Sequence, residues 1–284
     1  MLEGSRFREG KELKEHGSVK IELSDPEDDP TAMMIILGIL YGDDVQVPIE
    51  LDLPTLCKVA VLADKYQWHA LVTPHVISWF DIFANSHGLP TVFNTNLLMC
   101  LWIAWLFRMK DHFKSLSRVA QEDACTSIDL TDESIRLPAS ILKAINEQRD
   151  VAFQKIEQVI HEFKETLLDG EKQKDSTLPE QKMVKYMVFG HAIFYSQDLE
   201  LGEFSRPNHA GSSIRLLRSR ISLFQSVEGF NIQSSKGTNR HVAIGGSWDL
   251  RTELQKAISD LKIDEWGLDY DDFKQSFADG RSDA

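Results

Sequence analysis

VKIELSDPEDDPTAMMIILGILYG, residues 19–42, carries three local signals in one stretch, and the reading of this 284-residue chain turns on them. Val19, Ile21 and Leu23 alternate with Lys20 and Glu22, the period of a short strand with one apolar face. The run Ser24-Asp25-Pro26-Glu27-Asp28-Asp29-Pro30 then ends that strand as a turn. Asp29 is a good N-cap because its carboxylate can accept from a first-turn N–H, and Pro30 suits the first helical turn, where no N–H is needed. The spacing predicts a helix from Thr31 to about Tyr41 that buries Met33, Ile36, Leu37 and Leu40 and stops at Gly42.

Downstream the pattern is helical almost throughout. Gly42-Asp43-Asp44 reads as a turn, and a second helix over 54–66 carries Leu56, Val59, Ala60 and Ala63 on one face. A third, over 70–84, carries Val72, Val76, Trp79 and Phe83. After a linker at 85–90, Leu97 to Phe107 is apolar nearly all round, which predicts a central helix covered on every side. Pro138 opens a long amphipathic helix in which Ile141, Ile145, Ala152, Ile156, Val159, Phe163 and Leu167 recur at threes and fours. Thr177-Leu178-Pro179-Glu180 fits a capping box and starts another helix, followed by short helices near 211–226, 249–263 and 270–278. The Gly/Ser/Asn-rich stretch from Gly229 to Ser247 is expected to be a mobile loop.

Composition narrows the functional classes. With 42% hydrophobic residues the chain can fill real cores. Its net charge of −13 makes the average surface repel phosphate and anionic lipid, so neither nucleic acid nor a membrane is an expected partner. Cys57, Cys100 and Cys125 are odd in number and far apart, as thiols in a reducing compartment are. The charged first residues lack an apolar signal region, and the longest apolar run falls short of the roughly 20 residues a bilayer requires. An intracellular protein of the cytoplasm or nucleus is expected.

Chemistry-bearing motifs are absent from the sequence. It has no Gly-x-Ser-x-Gly elbow, His-Glu-x-x-His, Walker loop or Gly-x-Gly-x-x-Gly. The nine histidines include no i, i+4 pair, so no metal or other cofactor is expected, and no catalytic residue is assigned. Asp269-Tyr270-Asp271-Asp272-Phe273 starts like a calcium loop but puts Phe273 where a ligand is needed, and reads more simply as an acidic first turn. Arg215, Arg218 and Arg220 read as a solvated helix face, and Trp79, Trp102 and Trp105 as core.

The order of these motifs carries the reading further. MLEGSRFREG, then VKIELSDPEDDPTAMMIILGILYG, then VPIELDLPTLCKVAVLADKYQWHALV with its Asp64-Lys65-Tyr66 signature, resembles the second half of a BTB/POZ domain of the fungal-type branch. LLMCLWIAWLFRMKDHFKSLSRVA and the helix after Pro138 look like the helical extension of such proteins, and GLDYDDFKQSF like a C-terminal motif of the group. The resemblance implies a mainly α chain: the C-terminal part of an α/β BTB/POZ domain over residues 1–84, a helical extension over 91–168 and a C-terminal helical region over 177–284. It implies an N-terminally truncated domain, since two strands and the first helices of the family would precede Met1. The function it implies is protein–protein interaction, with a cullin scaffold of a ubiquitin ligase among the partners and a substrate-adaptor role. Phe7, Glu9 and Tyr41 sit where adaptor families contact the cullin. Homodimerisation is a family trait that uses the region not in this chain. The rival expectations are a truncated gene product without function and an uncharacterised enzyme.

Overall fold

A computed structural model describes residues 15–17, 28–42, 47–128, 135–169, 179–198, 211–224, 229–233, 237, 239–243 and 249–273. The chain is mainly helical. The strand expected at Val19–Leu23 lies outside the described residues. Contacts divide the chain into two compact units, Met1–Val72 and Thr73–Ala284.

In the first unit α1 spans Pro30–Tyr41 and α2 spans Leu53–Lys65, and the two pack together. Both start on an aspartate N-cap followed within two residues by proline. The Asp29 carboxylate accepts from Ala32 N–H and that of Asp52 from Thr55 N–H, each at 2.9 Å. Gly42 ends α1 in the left-handed region at φ 67, the conformation that the sequence position requires of it. The shared core is Ala32, Met33, Ile35 and Ile36 against Leu53, Leu56, Val59, Ala60 and Ala63. α3, His69–His87, straddles the division and buries Val72, Val76, Trp79 and Phe80. Phe80 takes the fully buried place that the periodicity assigns to Phe83, which is half-buried.

The second unit is organised around two helices. α4, Thr95–Leu106, is buried on every side from Cys100 to Leu106, and it packs on α5, Lys110–Asp123. α6, Ala139–Asp169, buries Ile141, Ile145, Ala152, Ile156, Phe163 and Leu167 as its periodicity predicts, and packs on α5, on α7 (Pro179–Asp198), on α8 (Ile214–Leu223) and on α9 (Leu250–Asp260). The loop after α5 is fastened to α6 by polar side chains. Asn146 both accepts from Ile128 N–H at 3.0 Å and donates to its carbonyl at 3.2 Å, while the buried Arg149 donates to the Thr126 carbonyl at 2.7 Å.

One expectation is corrected here. The stretch expected to be a mobile loop contains an antiparallel hairpin, β1 (Gly229–Gln233) with β2 (Asn239–Ala243), paired from Gly229↔Ala243 to Gln233↔Asn239. Phe230 and Ile232 alternate with polar residues in β1, a strand signal that the glycines and serines around it obscure, and Phe230 packs against the core of the second unit.

The segment 263–273 is a strap laid along α5. Ile263–Glu265 and Tyr270–Phe273 are short 3-10 turns. Between them Gly267 N–H donates to Gln121 at 3.0 Å and Leu268 N–H to the Ser117 hydroxyl at 2.8 Å, and both acceptors are buried. Phe113 meets Tyr270 edge-on at 5.9 Å and Phe273 at 6.4 Å, and Lys110 pairs with Asp271 at 2.9 Å. The helix expected over 270–278 is therefore one 3-10 turn across its described residues, 270–273. Burial raises the Tyr270 phenol above its ordinary value, as a ring locked against an aromatic core requires. Gly267 has φ 114, and a Cβ there would lie 2.4 Å from the Lys114 carbonyl oxygen. Gly267→Ala thus meets backbone strain and a backbone clash together, of order 1–3 kcal/mol for the strain alone. Its melting temperature is expected to fall by roughly 5–15 °C, measured by circular dichroism; an unchanged melt means the strap does not seat as described.

Candidate functional site

The feature that stands apart in the first unit is the outer face of α1. Its sequence, PTAMMIILGILY, has no charged residue, so whichever side packs on α2, apolar side chains remain on the other. Ala32, Met33, Ile35, Ile36 and Gly38 are the buried side. Met34 is 52% exposed, Leu40 50% and Tyr41 80%, with Leu37 half-buried between them. Met34, Leu37 and Tyr41 follow at three and four residues and share one helical face, with Leu40 at its edge. The expectation that Leu40 is buried is corrected: Ile35 takes the inner position, because α2 covers the side of α1 that holds Ile35 and Ile36.

What holds that face outward is an acidic turn locked to α2. Asp29, besides capping α1, accepts from Lys58 at 2.7 Å. Its neighbour Asp28 accepts from Lys65 at 2.7 Å and from the Tyr66 hydroxyl. The Asp64-Lys65-Tyr66 signature therefore has a structural duty in which two of its three side chains grip the start of α1. Asp64 faces His69 at 3.4 Å, and Tyr66 stacks on Trp68 at 4.7 Å between ring centres. These contacts fix the direction of α1 at its N-terminal end while Gly42 closes its C-terminal end.

Of the three partner-contact residues expected from the sequence, Tyr41 is placed at the exposed end of α1, whereas Phe7 and Glu9 lie outside the described residues. The structure therefore does not bring the three together. It adds Met34, Leu37 and Leu40, of which the sequence pattern places Leu37 and Leu40 in the core and gives no signal for Met34. An unbroken apolar run with no polar face to turn to solvent is the signal that finds them.

Elsewhere the charged groups serve packing. Arg215 donates to the Thr91 carbonyl at 2.7 Å and lies 3.5 Å from Asp123, so it ties α8 to neighbouring segments. Trp79 and Trp102 are core residues. An open cleft of about 580 Å³ is lined by Asp111, Lys114, Ser115, Arg118, Asp264, Glu265 and Trp266 and contains no histidine. Among the described residues no group of three or more His, Cys, Asp or Glu is arranged to hold a metal ion, and no helix is long and apolar enough to cross a membrane. None of the three cysteines, Cys57, Cys100 and Cys125, is in a disulfide. No protein-family model matches the chain, and no curated protein or solved structure matches it.

The acidic turn makes α1 pH-sensitive in a defined direction. The hydrogen bond from Lys58, then that from Ala32 N–H, holds the Asp29 carboxyl below its ordinary value of 3.8. A carboxyl depressed in the folded state stabilises it at pH above the unfolded value, and that contribution is lost as pH falls through the folded one. Amide exchange in residues 32–36 is expected to lose protection below about pH 4 in the wild type. Asp29→Asn, which keeps a capping side chain but lacks the charge, is expected to show lower protection at pH 6 and a flatter pH response; equal responses in the two proteins would remove the Lys58 pair as a stabilising contact.

Proposed function

We propose that this chain is a protein-interaction module of the BTB/POZ type and that the outer face of α1, ending at Tyr41, forms part of its partner surface. The observation that carries the reading is an apolar helical face left exposed while the opposite face packs on α2 and two aspartates fasten the N-terminal end of the helix. Apolar and aromatic side chains held in place at a surface lose little freedom on binding, and a partner that covers them gains the hydrophobic term directly. The order of motifs around this helix supports the family: an acidic turn, a capped apolar helix ending in Tyr-Gly, then a helix ending in Asp-Lys-Tyr. In that family the same helix end, together with a hydrophobic-x-Glu motif, meets a cullin scaffold. A cullin is accordingly the partner class proposed here, with the chain as an adaptor that brings substrates to a ubiquitin ligase. Three cysteines outside any disulfide accord with an intracellular setting for that role.

The test is binding of the full chain to the N-terminal domain of a cullin by calorimetry. Tyr41→Ala, Phe7→Ala and Glu9→Lys are each expected to weaken binding by more than tenfold, about 1.4 kcal/mol, with unchanged melts. Met34 is at the far end of the same face, and Met34→Glu is expected to act in the same direction. Wild-type affinity in all four variants, or no binding by the wild type, would remove the adaptor role.

A further inference from the structure

The cleft between α5 and the strap is lined by charged side chains that its two walls leave unmatched. Asp111, Lys114, Ser115 and Arg118 share one face of α5 at steps of three and four residues, and the strap supplies Asp264 and Glu265 with Trp266 buried beside them. Two of these charges are engaged within their own surroundings. Arg118 donates to the Asp264 carbonyl at 3.4 Å and lies 3.6 Å from Glu122, and Glu265 lies 3.4 Å from Lys262. Among the described residues the carboxylates of Asp111 and Asp264 and the ammonium of Lys114 have no ion-pair or hydrogen-bond partner. The cleft thus presents two anionic groups and one cationic group around an open space of about 580 Å³. Charges of opposite sign that line one concavity without meeting leave room for a ligand to bridge them.

We propose that this cleft binds a free basic amino acid, arginine or lysine. Such a molecule carries the complement of the three unpartnered groups, two cations and one carboxylate. The order of the groups along α5 fits its shape. Asp111 and Lys114 are neighbours on the helix face, as the adjoining α-ammonium and α-carboxylate of the ligand require. The Asp264 backbone meets Arg118, one further turn or about 6 Å along the axis. The stem of an arginine or lysine side chain covers that distance and brings its cationic end to the Asp264 carboxylate. Glu122 offsets the Arg118 charge there, which leaves Asp264 to meet the ligand's cation. The chain's net charge of −13 draws basic solutes toward it, and Lys114 then selects those that also carry a carboxylate. Bound across the cleft, the ligand ties the strap to α5 through side chains, beside the backbone bonds at Gly267 and Leu268. The site lies wholly in the second unit and does not depend on the reading of α1.

The experiment is saturation-transfer NMR of the full chain titrated with L-arginine, and with L-arginine amide, N-acetyl-L-arginine and L-citrulline, each of which lacks one of the ligand's charges. L-Arginine and L-lysine are expected to bind saturably with a Kd on the order of 1 mM, and each analogue to bind more weakly by roughly fivefold or more. Asp264→Asn is expected to weaken arginine binding by a similar factor with unchanged circular dichroism, as is Lys114→Gln, which keeps the stem that lies against Gly267. Glu165→Gln, at an exposed position of α6, is expected to bind as the wild type does. Amide exchange in residues 263–268 is expected to slow at saturating arginine. Absence of saturable binding would overturn the proposal. Equal binding of L-arginine amide, the mark of nonspecific attraction of cations to an acidic chain, would overturn it too, as would unchanged affinity in both cleft variants.

Discussion

Two adjacent carboxylates, Asp28 and Asp29, bind Lys58 and Lys65 of α2 and Tyr66 at its C-terminal end, and the presentation of α1 depends on that grip. α1 has no charged residue, so its sequence pattern alone does not single out the side that packs on α2. Directional bonds break the tie: Lys58 to Asp29, and Lys65 and Tyr66 to Asp28, fix the rotation of the helix about its axis. The hydrophobic effect joins the two helices, and the ion pairs choose the face. The Lys58–Asp29 pair is exposed to solvent and contributes little stability on average, so its larger consequence is geometric.

The second unit solves a related problem with neutral groups. The strap from Ile263 to Phe273 has backbone donors that must be satisfied where it crosses α5, and Ser117 and Gln121 meet them from inside the core. Tyr270 and Phe273 then close over Phe113. The GLDYDDF motif is accounted for by these contacts: a glycine for close approach, an aspartate that turns the chain, and two aromatics that anchor it.

Much of this was legible in the residues. Asp29-Pro30 and Gly42 announce the ends of α1, the run from Leu97 to Phe107 announces a covered helix, and the threes and fours after Pro138 announce the buried face of α6. These signals are local, and local physics decides them. The hairpin was not legible, because strand pairing is made between segments and the glycines and serines around Phe230 and Ile232 mask a short alternation. The outward side of α1 was not legible either. A helix apolar on every side has no period to say which residues face the core, so the pattern points Leu40 inward and gives no signal for Met34. The site residues Phe7 and Glu9 rest on resemblance alone, whereas Tyr41 is placed on an exposed helix end by the structure.

The outer face of α1 is proposed here as the surface on which a partner docks. The most direct measurement is oxidative footprinting of the full chain with and without the N-terminal domain of a cullin, read by mass spectrometry at Met34, Tyr41, Met183 and Met187. Docking on this face protects Met34 and Tyr41 in the complex and leaves the two α7 methionines as they are in the chain alone. Labelling of Met34 and Tyr41 that is unchanged in a complex shown to have formed would contradict it.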